Sequence, residues 1–108
     1  MVPDATFREE MRFGVFCFSP DTGTLTASDW IKKLSFRESQ ILTVLLDHQN
    51  VMIERTHILV NIWGVETENN SRNLDVYVNR LRKILSCDPR IQIETHKGIG
   101  LILKTSSR

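Results

Sequence analysis

One segment, residues 71–85 (SRNLDVYVNRLRKIL), constrains this chain more than any other. Placed on a helix at about 100° per residue, its large apolar side chains fall on one side. That apolar stripe consists of Leu74, Val78, Leu81 and Leu85, with Tyr77 and Ile84 on its flank. The opposite side carries Arg72, Val76, Asn79 and Lys83, flanked by Arg80, Arg82 and Asp75. Such a helix is suited to being held by a core while its cationic side lies against a polyanion.

The charge of the chain is unevenly distributed. The net charge is +1, but residues 1–70 hold six Lys/Arg and ten Asp/Glu, a net −4. Residues 71–108 hold eight Lys/Arg and three Asp/Glu, a net +5. This asymmetry indicates a polyanionic partner for the C-terminal part, although on charge alone a solvated helix face is an equal explanation.

Composition excludes several classes of protein. A chain of 108 residues with a 41% apolar fraction can build one domain with a modest core. No apolar run approaches the roughly 18 residues of a membrane span, and the first residues do not form a secretory signal, so we expect a cytoplasmic protein. Cys17 and Cys87 are far apart in sequence and are expected to be free thiols.

The residues that would carry chemistry are missing. His48, His57 and His96 do not share a metal-ligand spacing, and no catalytic constellation, P-loop or dinucleotide motif is present. We therefore expect no metal, no cofactor and no enzymatic activity. Trp30 and Trp63 are expected to serve in packing rather than as stacking platforms.

The N-terminal third predicts a small antiparallel sheet. Residues 1–10 are polar and aperiodic, typical of a linker or disordered tail. Residues 12–18 alternate imperfectly and are rich in aromatic side chains, which favours a strand. The SPDTG sequence at 19–23 is strong turn chemistry, and residues 24–26 and 30–33 predict two further strands.

Two helices should follow the sheet. Ser35 and Glu38 form a capping box for a first helix over about 36–48, which would bury Ile41, Leu42, Leu45 and Leu46. The second helix should begin near Glu54 or Arg55 and stop at Trp63, because Gly64 is a natural residue after a helix end.

The third helix and a hairpin complete the chain. Residues 64–70 predict an acidic, polar loop, after which Asn70 or Ser71 can cap a third helix over about 71–86. Residues 90–95 and 101–104 predict two strands, joined by a turn with Lys97 at its tip. The predicted fold is therefore α+β, a winged helix-turn-helix over 11–105 with an N-terminal sheet, three helices and a C-terminal β-hairpin wing.

The chain resembles the OmpR/PhoB-type winged-helix effector domain of bacterial two-component response regulators. Four motifs in the right order carry this resemblance: LSFRESQILTVLL at 34–46, IERTHILVNIWG at 53–64, the segment at 71–85, and IQIETHKGIG at 91–100. The positions that match the family pattern are Arg55, Trp63, Gly64, Arg72, Asp75, Val76, Arg80, Leu81, Arg82, Lys83, Leu85, Gly98 and Gly100.

The resemblance implies sequence-specific binding of double-stranded DNA in a phosphorelay that regulates transcription. The third helix would enter the major groove, where Arg80 can donate to guanine and Val76 can pack on a thymine methyl. The wing, about 95–101, would approach the minor groove through Lys97. The phosphate contacts implied in this way are Arg72, Tyr77, Asn79, Arg82, Lys83 and Thr95.

The resemblance also implies partners. Tandem binding to direct repeats, a receiver domain upstream in the parent chain, and RNA polymerase are expected from it. The segment corresponding to the polymerase contact of the family comprises Val65, Glu66, Thr67, Glu68 and Asn69. Asp75 is expected to pair with Arg55 or Arg72 rather than to contact a base.

The chain departs from the family pattern in four places, and the first two departures should weaken its affinity for DNA. Leu101 and Ile102 replace a usual aromatic and basic pair, Lys97 stands where Arg is common, Asn79 is neutral, and Ser39 replaces an aromatic. The alternative is a winged-helix protein–protein interaction module that has lost DNA binding. An apolar strand at 101–103 in search of a partner and the acidic loop motivate it.

Overall fold

The computed structural model describes residues 9–105, and three helices lie between two antiparallel sheets. The first sheet contains β1 (Met11–Phe13), β2 (Phe16–Ser19), β3 (Thr24–Ala27) and β4 (Trp30–Lys33), in that order. The helices are α1 (Phe36–Asp47), α2 (Arg55–Trp63) and α3 (Glu68–Leu85), and the second sheet contains β5 (Ile53–Glu54), β6 (Ile91–His96) and β7 (Gly100–Thr105). The predicted winged helix-turn-helix is confirmed. Most of the predicted linker at 1–10 lies outside the described residues.

The N-terminal sheet has one strand more than predicted. The prediction of a single strand over 12–18 is wrong, because the chain reverses at Gly14 and Val15 to form the β1–β2 hairpin. Gly14 has φ +57°, a conformation that glycine adopts without steric cost. The turn leaves Phe16 and Phe18 buried on the inner side of β2.

The first helix forms as its capping box predicts. The Ser35 hydroxyl accepts from the backbone N–H of Glu38 at 3.2 Å, and the Glu38 carboxylate accepts from the backbone N–H of Ser35 at 2.8 Å. The predicted inward face is buried: Ile41, Leu42, Leu45 and Leu46. This helix is the centre of the core, against which α2, α3 and β7 all pack.

Helix α2 begins without a side-chain cap. Its first residue, Arg55, instead donates its backbone N–H to the carbonyl oxygen of Ile99 at 2.9 Å. The helix ends at Gly64, which has φ +82° and donates its N–H to Val60. A tertiary contact from the C-terminal hairpin thus replaces local capping at the start of α2.

Helix α3 begins three residues earlier than predicted. Thr67 is its N-cap, and the Thr67 hydroxyl accepts from the backbone N–H of Asn70 at 3.0 Å. The prediction of Asn70 or Ser71 as the cap is wrong, because those side chains bond to Val65 and Arg55 instead. Threonine is a strong N-cap and an acid in the first turn favours the helix dipole, so residues 68–70 join the helix.

The C-terminal sheet has the order β5–β7–β6, so β7 is its central strand. Leu101 and Leu103 on β7 are buried, with Leu101 only 1% exposed. The expectation that residues 101–103 form an apolar strand in search of a partner is therefore wrong. The side chains of Leu101 and Leu103 belong to the core, Ile102 is half-buried, and the backbone of β7 pairs with β5 on one edge and β6 on the other.

The two glycines of the hairpin are required for different reasons. We call β6, β7 and the turn at 97–99 the wing. Gly98 has φ +76° and open space around its Cα. Gly100 has no such φ, but a Cβ there would lie 2.1 Å from the carbonyl oxygen of Ile53, because β5 pairs with β7 at this point and its backbone passes close to Gly100.

Candidate nucleic-acid interface

Helix α3 has the two faces that its sequence predicts. The core side consists of the fully buried Leu74, Val78, Leu81 and Leu85, with Tyr77 and Ile84 packed partly against the core. On the other side, the exposed residues include Arg72, Asp75, Val76, Asn79, Arg80 and Lys83. Because the apolar stripe fixes the rotation of the helix, this polar face is held outward as a rigid unit.

The Tyr77 and Trp63 rings pack together beneath Arg80, in the middle of that face. The guanidinium carbon of Arg80 lies 5.3 Å from the ring centroid of Tyr77, within the range of a cation–π interaction. The Tyr77 ring in turn lies 6.5 Å from the ring of Trp63 at the end of α2. The Trp63 ring also packs against Arg37, so it serves in packing, as predicted. These contacts restrict the directions in which Arg80 can point.

The start of α3 is fastened to α2 by Arg55. Its Nε donates to the Ser71 hydroxyl at 2.9 Å, and one Nη donates to the Ser71 carbonyl and to Asp75, each at 2.7 Å. The predicted pairing of Asp75 with an arginine is thus confirmed, with Arg55 as the partner. Asp75 is thereby paired with a cation of α2, and the positive charge of α3 is carried by Arg72, Arg80, Arg82 and Lys83.

Arg82 joins α3 to the wing. Its Nε donates to the carbonyl oxygen of Ile93 at 2.9 Å, one Nη donates to the Asn79 side-chain oxygen at 2.8 Å, and the other donates to the Thr95 hydroxyl. The side chain is half-buried. Its guanidinium thus donates three hydrogen bonds within the chain, whereas the contact described for Arg80 is the stacking on Tyr77.

A cleft of about 620 Å³ separates α3 from the wing. Asn79 and Arg82 line its helix side, while Thr95, Lys97 and Gly98 line its wing side. Lys97 is exposed at the hairpin turn, where the sequence predicts it. Four of the nine predicted α3 and wing contacts, namely Asn79, Arg82, Thr95 and Lys97, therefore line one concave surface. Val76, Arg80 and Lys83 are exposed elsewhere on the same helix.

The segment predicted to contact polymerase is divided between loop and helix. Val65 and Glu66 lie in the connection between α2 and α3, Thr67 is the cap, and Glu68 and Asn69 form the first turn of α3. Val65 is 52% exposed, and the Glu66 carboxylate accepts from the Thr56 hydroxyl at 3.1 Å. The segment is thus an exposed corner with an acidic and an apolar component.

One buried acid was not singled out as structurally important from sequence. Asp88 is 3% exposed and its carboxylate accepts from the backbone N–H groups of Val15 and Arg90 and from the Arg90 guanidinium, all at 3.0 Å. The hydrogen bond from Arg90, joined by those from the two backbone groups, lowers the pKa of Asp88 to about 2. Its only sequence signal is a polar residue placed between a helix end and Pro89.

Other potential sites are limited in the described part of the chain. Within residues 9–105, no group of three or more His, Cys, Asp or Glu side chains could hold a metal ion. No helix there is both long and apolar enough to cross a bilayer. Cys17 and Cys87 are free thiols, as predicted. Burial, helped by the nearby Glu10 carboxylate, raises the pKa of the Cys17 thiol, which disfavours its thiolate form.

An exposed cationic helix packed beside a β-hairpin, both mounted on a three-helix core with an N-terminal sheet, defines an OmpR/PhoB-type winged-helix domain. The family model described as "Transcriptional regulatory protein, C terminal" matches residues 32–103, and this chain belongs to that family. The family is one of transcription regulators rather than a class of enzymes.

Individual relatives agree with this assignment. The chain is 35% identical over 94 residues to the transcriptional regulatory protein RprY of Bacteroides fragilis, covering 87% of this chain and 40% of the relative. It is similar to the C-terminal domain of the nisin resistance regulator NsrR, with 30% identity, a TM-score of 0.72, and 88% and 96% of the two chains covered.

A third relative was solved with its ligand. The Klebsiella pneumoniae RstA DNA-binding domain, in complex with the RstA box, is 25% identical with a TM-score of 0.74 over 90% of this chain and 98% of that one. The chain spans about two-fifths of the length of the curated relatives it matches.

Proposed function

We propose that this chain binds double-stranded DNA in a sequence-specific manner, as the effector domain of a transcriptional regulator. The observation that carries the proposal is the rigid outward presentation of the polar, cationic face of α3 beside the wing. An α-helix fits the major groove of B-form DNA, and a hairpin at its flank can reach the adjacent minor groove. The complex of the related RstA domain with its DNA box supports the same conclusion.

Base readout is assigned to Val76 and Arg80 on the exposed middle of α3. Arg80 can donate two hydrogen bonds to a guanine edge, and its stacking on Tyr77 limits the rotamers that must be ordered on binding. Val76 is 45% exposed although apolar, which suits contact with a thymine methyl. Together they would specify neighbouring base pairs.

Phosphate contacts are assigned to the residues around these two. Arg72 and Lys83 supply charge from the two ends of the exposed face, and Tyr77, Asn79 and Thr95 supply polar donors. Lys97 at the wing turn would bring a point charge to the minor groove. Arg82 differs from this set because three of its N–H groups already have acceptors within the chain.

The test is selection from a random duplex library, followed by sequencing of the bound pool and titration of the selected duplex. We expect an enriched motif and an affinity that falls with salt with a log–log slope of about −4 to −5, for roughly five phosphate contacts. Arg80→Ala should cost about 1–3 kcal/mol and relax preference at one position, whereas Lys83→Ala should weaken all sequences alike. An unenriched pool would contradict the proposal.

The wider assembly is proposed on the family resemblance. Two copies would bind direct repeats about one helical turn apart. A receiver domain preceding this domain in the parent chain, a cytoplasmic location, and contact of the α2–α3 corner at Val65 and Glu66 with RNA polymerase complete the model.

The alternative of a protein-interaction module without DNA binding has lost one of its two supports, since Leu101 and Leu103 are buried. The acidic corner between α2 and α3 is the remaining observation in its favour. Failure of the chain to be retained on a DNA or heparin column at low salt, together with a stable protein complex, would favour it.

A further inference from the structure

We propose that Arg82 is a positioning residue that fixes the wing to α3, rather than a direct phosphate ligand. The proposal rests on the DNA-binding function proposed above. It departs from the role that the family resemblance implies for this residue, and it follows from how the Arg82 guanidinium is occupied.

Arg82 contacts the wing through both backbone and side chain. The bond from Nε to the Ile93 carbonyl fixes the guanidinium to β6, and the bond to the Thr95 hydroxyl extends this contact toward the wing turn. Hydrogen bonds from a charged donor are stronger than neutral ones, and a planar guanidinium holds its donors in a fixed fork. One side chain thereby sets the angle between the recognition helix and the wing.

The same guanidinium orients two neutral donors. Asn79 accepts through its side-chain oxygen and Thr95 through its hydroxyl oxygen. Within residues 9–105, the amide N–H groups of Asn79 and the hydroxyl hydrogen of Thr95 are therefore available as donors. Both residues line the cleft between α3 and the wing. Arg82 thus fixes one donor on the helix and one on the wing toward the space where a phosphate of bound DNA would pass.

Lysine at this position separates the two roles. Arg82→Lys keeps the positive charge, but a single ammonium group cannot hold acceptors on the helix, the β6 backbone and Thr95 in one planar arrangement. If Arg82 acts as a phosphate ligand, lysine should preserve most of the affinity. If Arg82 positions the wing, lysine should not hold the wing against α3, and the affinity for DNA should fall. Lys83→Gln is the matched control, because Lys83 is the adjacent exposed cation of α3.

The first measurement is amide hydrogen exchange by NMR on the DNA-free 108-residue chain. We expect exchange at wing residues 93–96 to be about tenfold faster in Arg82→Lys, with the amides of 74–81 in α3 unchanged, and no change in the wing of Lys83→Gln. Unchanged α3 amides also establish that the variant is folded. Unchanged exchange at 93–96 in Arg82→Lys would overturn the proposal whether or not the chain binds DNA.

The second measurement is affinity for the selected duplex as a function of salt. We expect Arg82→Lys to bind about tenfold more weakly at every salt concentration with the wild-type slope, and Lys83→Gln to reduce the slope by about 0.9. Affinity of Arg82→Lys within twofold of wild type would overturn the proposal. Absence of binding by the wild-type chain would instead refute the proposed function, and the exchange result would still decide the role of Arg82 in the wing.

Discussion

The backbone N–H of Val15 donates to the buried carboxylate of Asp88 at 3.0 Å, across 73 residues of sequence. This bond joins the β1–β2 turn to the loop after α3, and Gly14 makes it possible, since a Cβ at that position would lie 2.3 Å from the same carboxylate. One acid thus connects the N-terminal sheet to the end of α3.

The stability of this junction should depend on pH in the acid range. The pKa of Asp88 is lowered from 3.8 to about 2, so its ionised form stabilises the folded state fully above about pH 4, and this contribution is lost as the pH falls from 4 toward 2. Asp88→Asn removes this contribution to stability at every pH. Urea unfolding between pH 2 and 6 should show a gap between wild type and variant that is constant above pH 5 and narrows below 4.

Asp29→Asn is the control for that experiment, because Asp29 is exposed in the turn between β3 and β4. The unfolding free energy of Asp29→Asn should fall between pH 4 and pH 2 as that of wild type does. A gap for Asp88→Asn that stays unchanged down to pH 2 would contradict the assigned pKa.

The two wing glycines should differ in their tolerance of alanine. Gly98→Ala strains a left-handed residue in open space and should cost about 1 kcal/mol. Gly100→Ala forces a methyl group into the Ile53 carbonyl and should cost about 3 kcal/mol or more, because the β5–β7 pairing must shift. Urea denaturation of both variants measures which one loses more unfolding free energy. A larger loss of unfolding free energy for Gly98→Ala would be inconsistent with the close approach at Gly100.

Arg55 should matter more for stability than its partner Asp75. Arg55→Ala removes three hydrogen bonds between α2 and α3 and should cost about 2 kcal/mol. Asp75 is 58% exposed, so Asp75→Ala should cost less than about 1 kcal/mol. A double-mutant cycle by urea unfolding should give a coupling below about 1 kcal/mol. A coupling as large as the whole Arg55→Ala effect would mean that the ion pair, and not Ser71, holds the helices together.

The start of α3 should be sensitive at Thr67. Thr67→Ala removes the acceptor for the Asn70 N–H and should cost about 1 kcal/mol in unfolding free energy. Asn69→Ala, in the exposed first turn, should stay within about 0.5 kcal/mol of wild type. Equal stability of Thr67→Ala and wild type would contradict the assignment of Thr67 and would indicate that a later residue caps α3.

Periodicity in the sequence was sufficient to predict the helices and their buried faces. The stripe from Leu74 to Leu85 and the capping box at Ser35 depend on local spacing, and both are found as predicted. Local signals failed at the start of α3. Asn70 and Ser71 are residue types that can cap a helix, but Thr67 caps α3 and Ser71 is engaged by Arg55 from another helix.

The site was less predictable than the fold. Position on the helix placed Val76, Arg80 and Lys83 on the exposed face, because that face is fixed by the apolar stripe. It could not reveal that Arg82 would be occupied by Ile93 and Thr95, since those partners arrive from a strand that follows a turn. Asp88 was missed for the same reason, because its partner Val15 belongs to the other end of the chain.

The close pairing of β5 with β7 at Gly100 has a consequence for the shape of any bound duplex. On one side, the wing is held by pairing with β5 and by the hydrogen bond that its Ile99 carbonyl accepts from the backbone N–H of Arg55 at the start of α2. On the other, it is held by Arg82. The spacing between helix and hairpin is thus almost unadjustable, so a bound duplex would have to conform to the domain. Operators should then be selected partly for base steps that widen or narrow the minor groove at low energetic cost, including steps that no side chain touches.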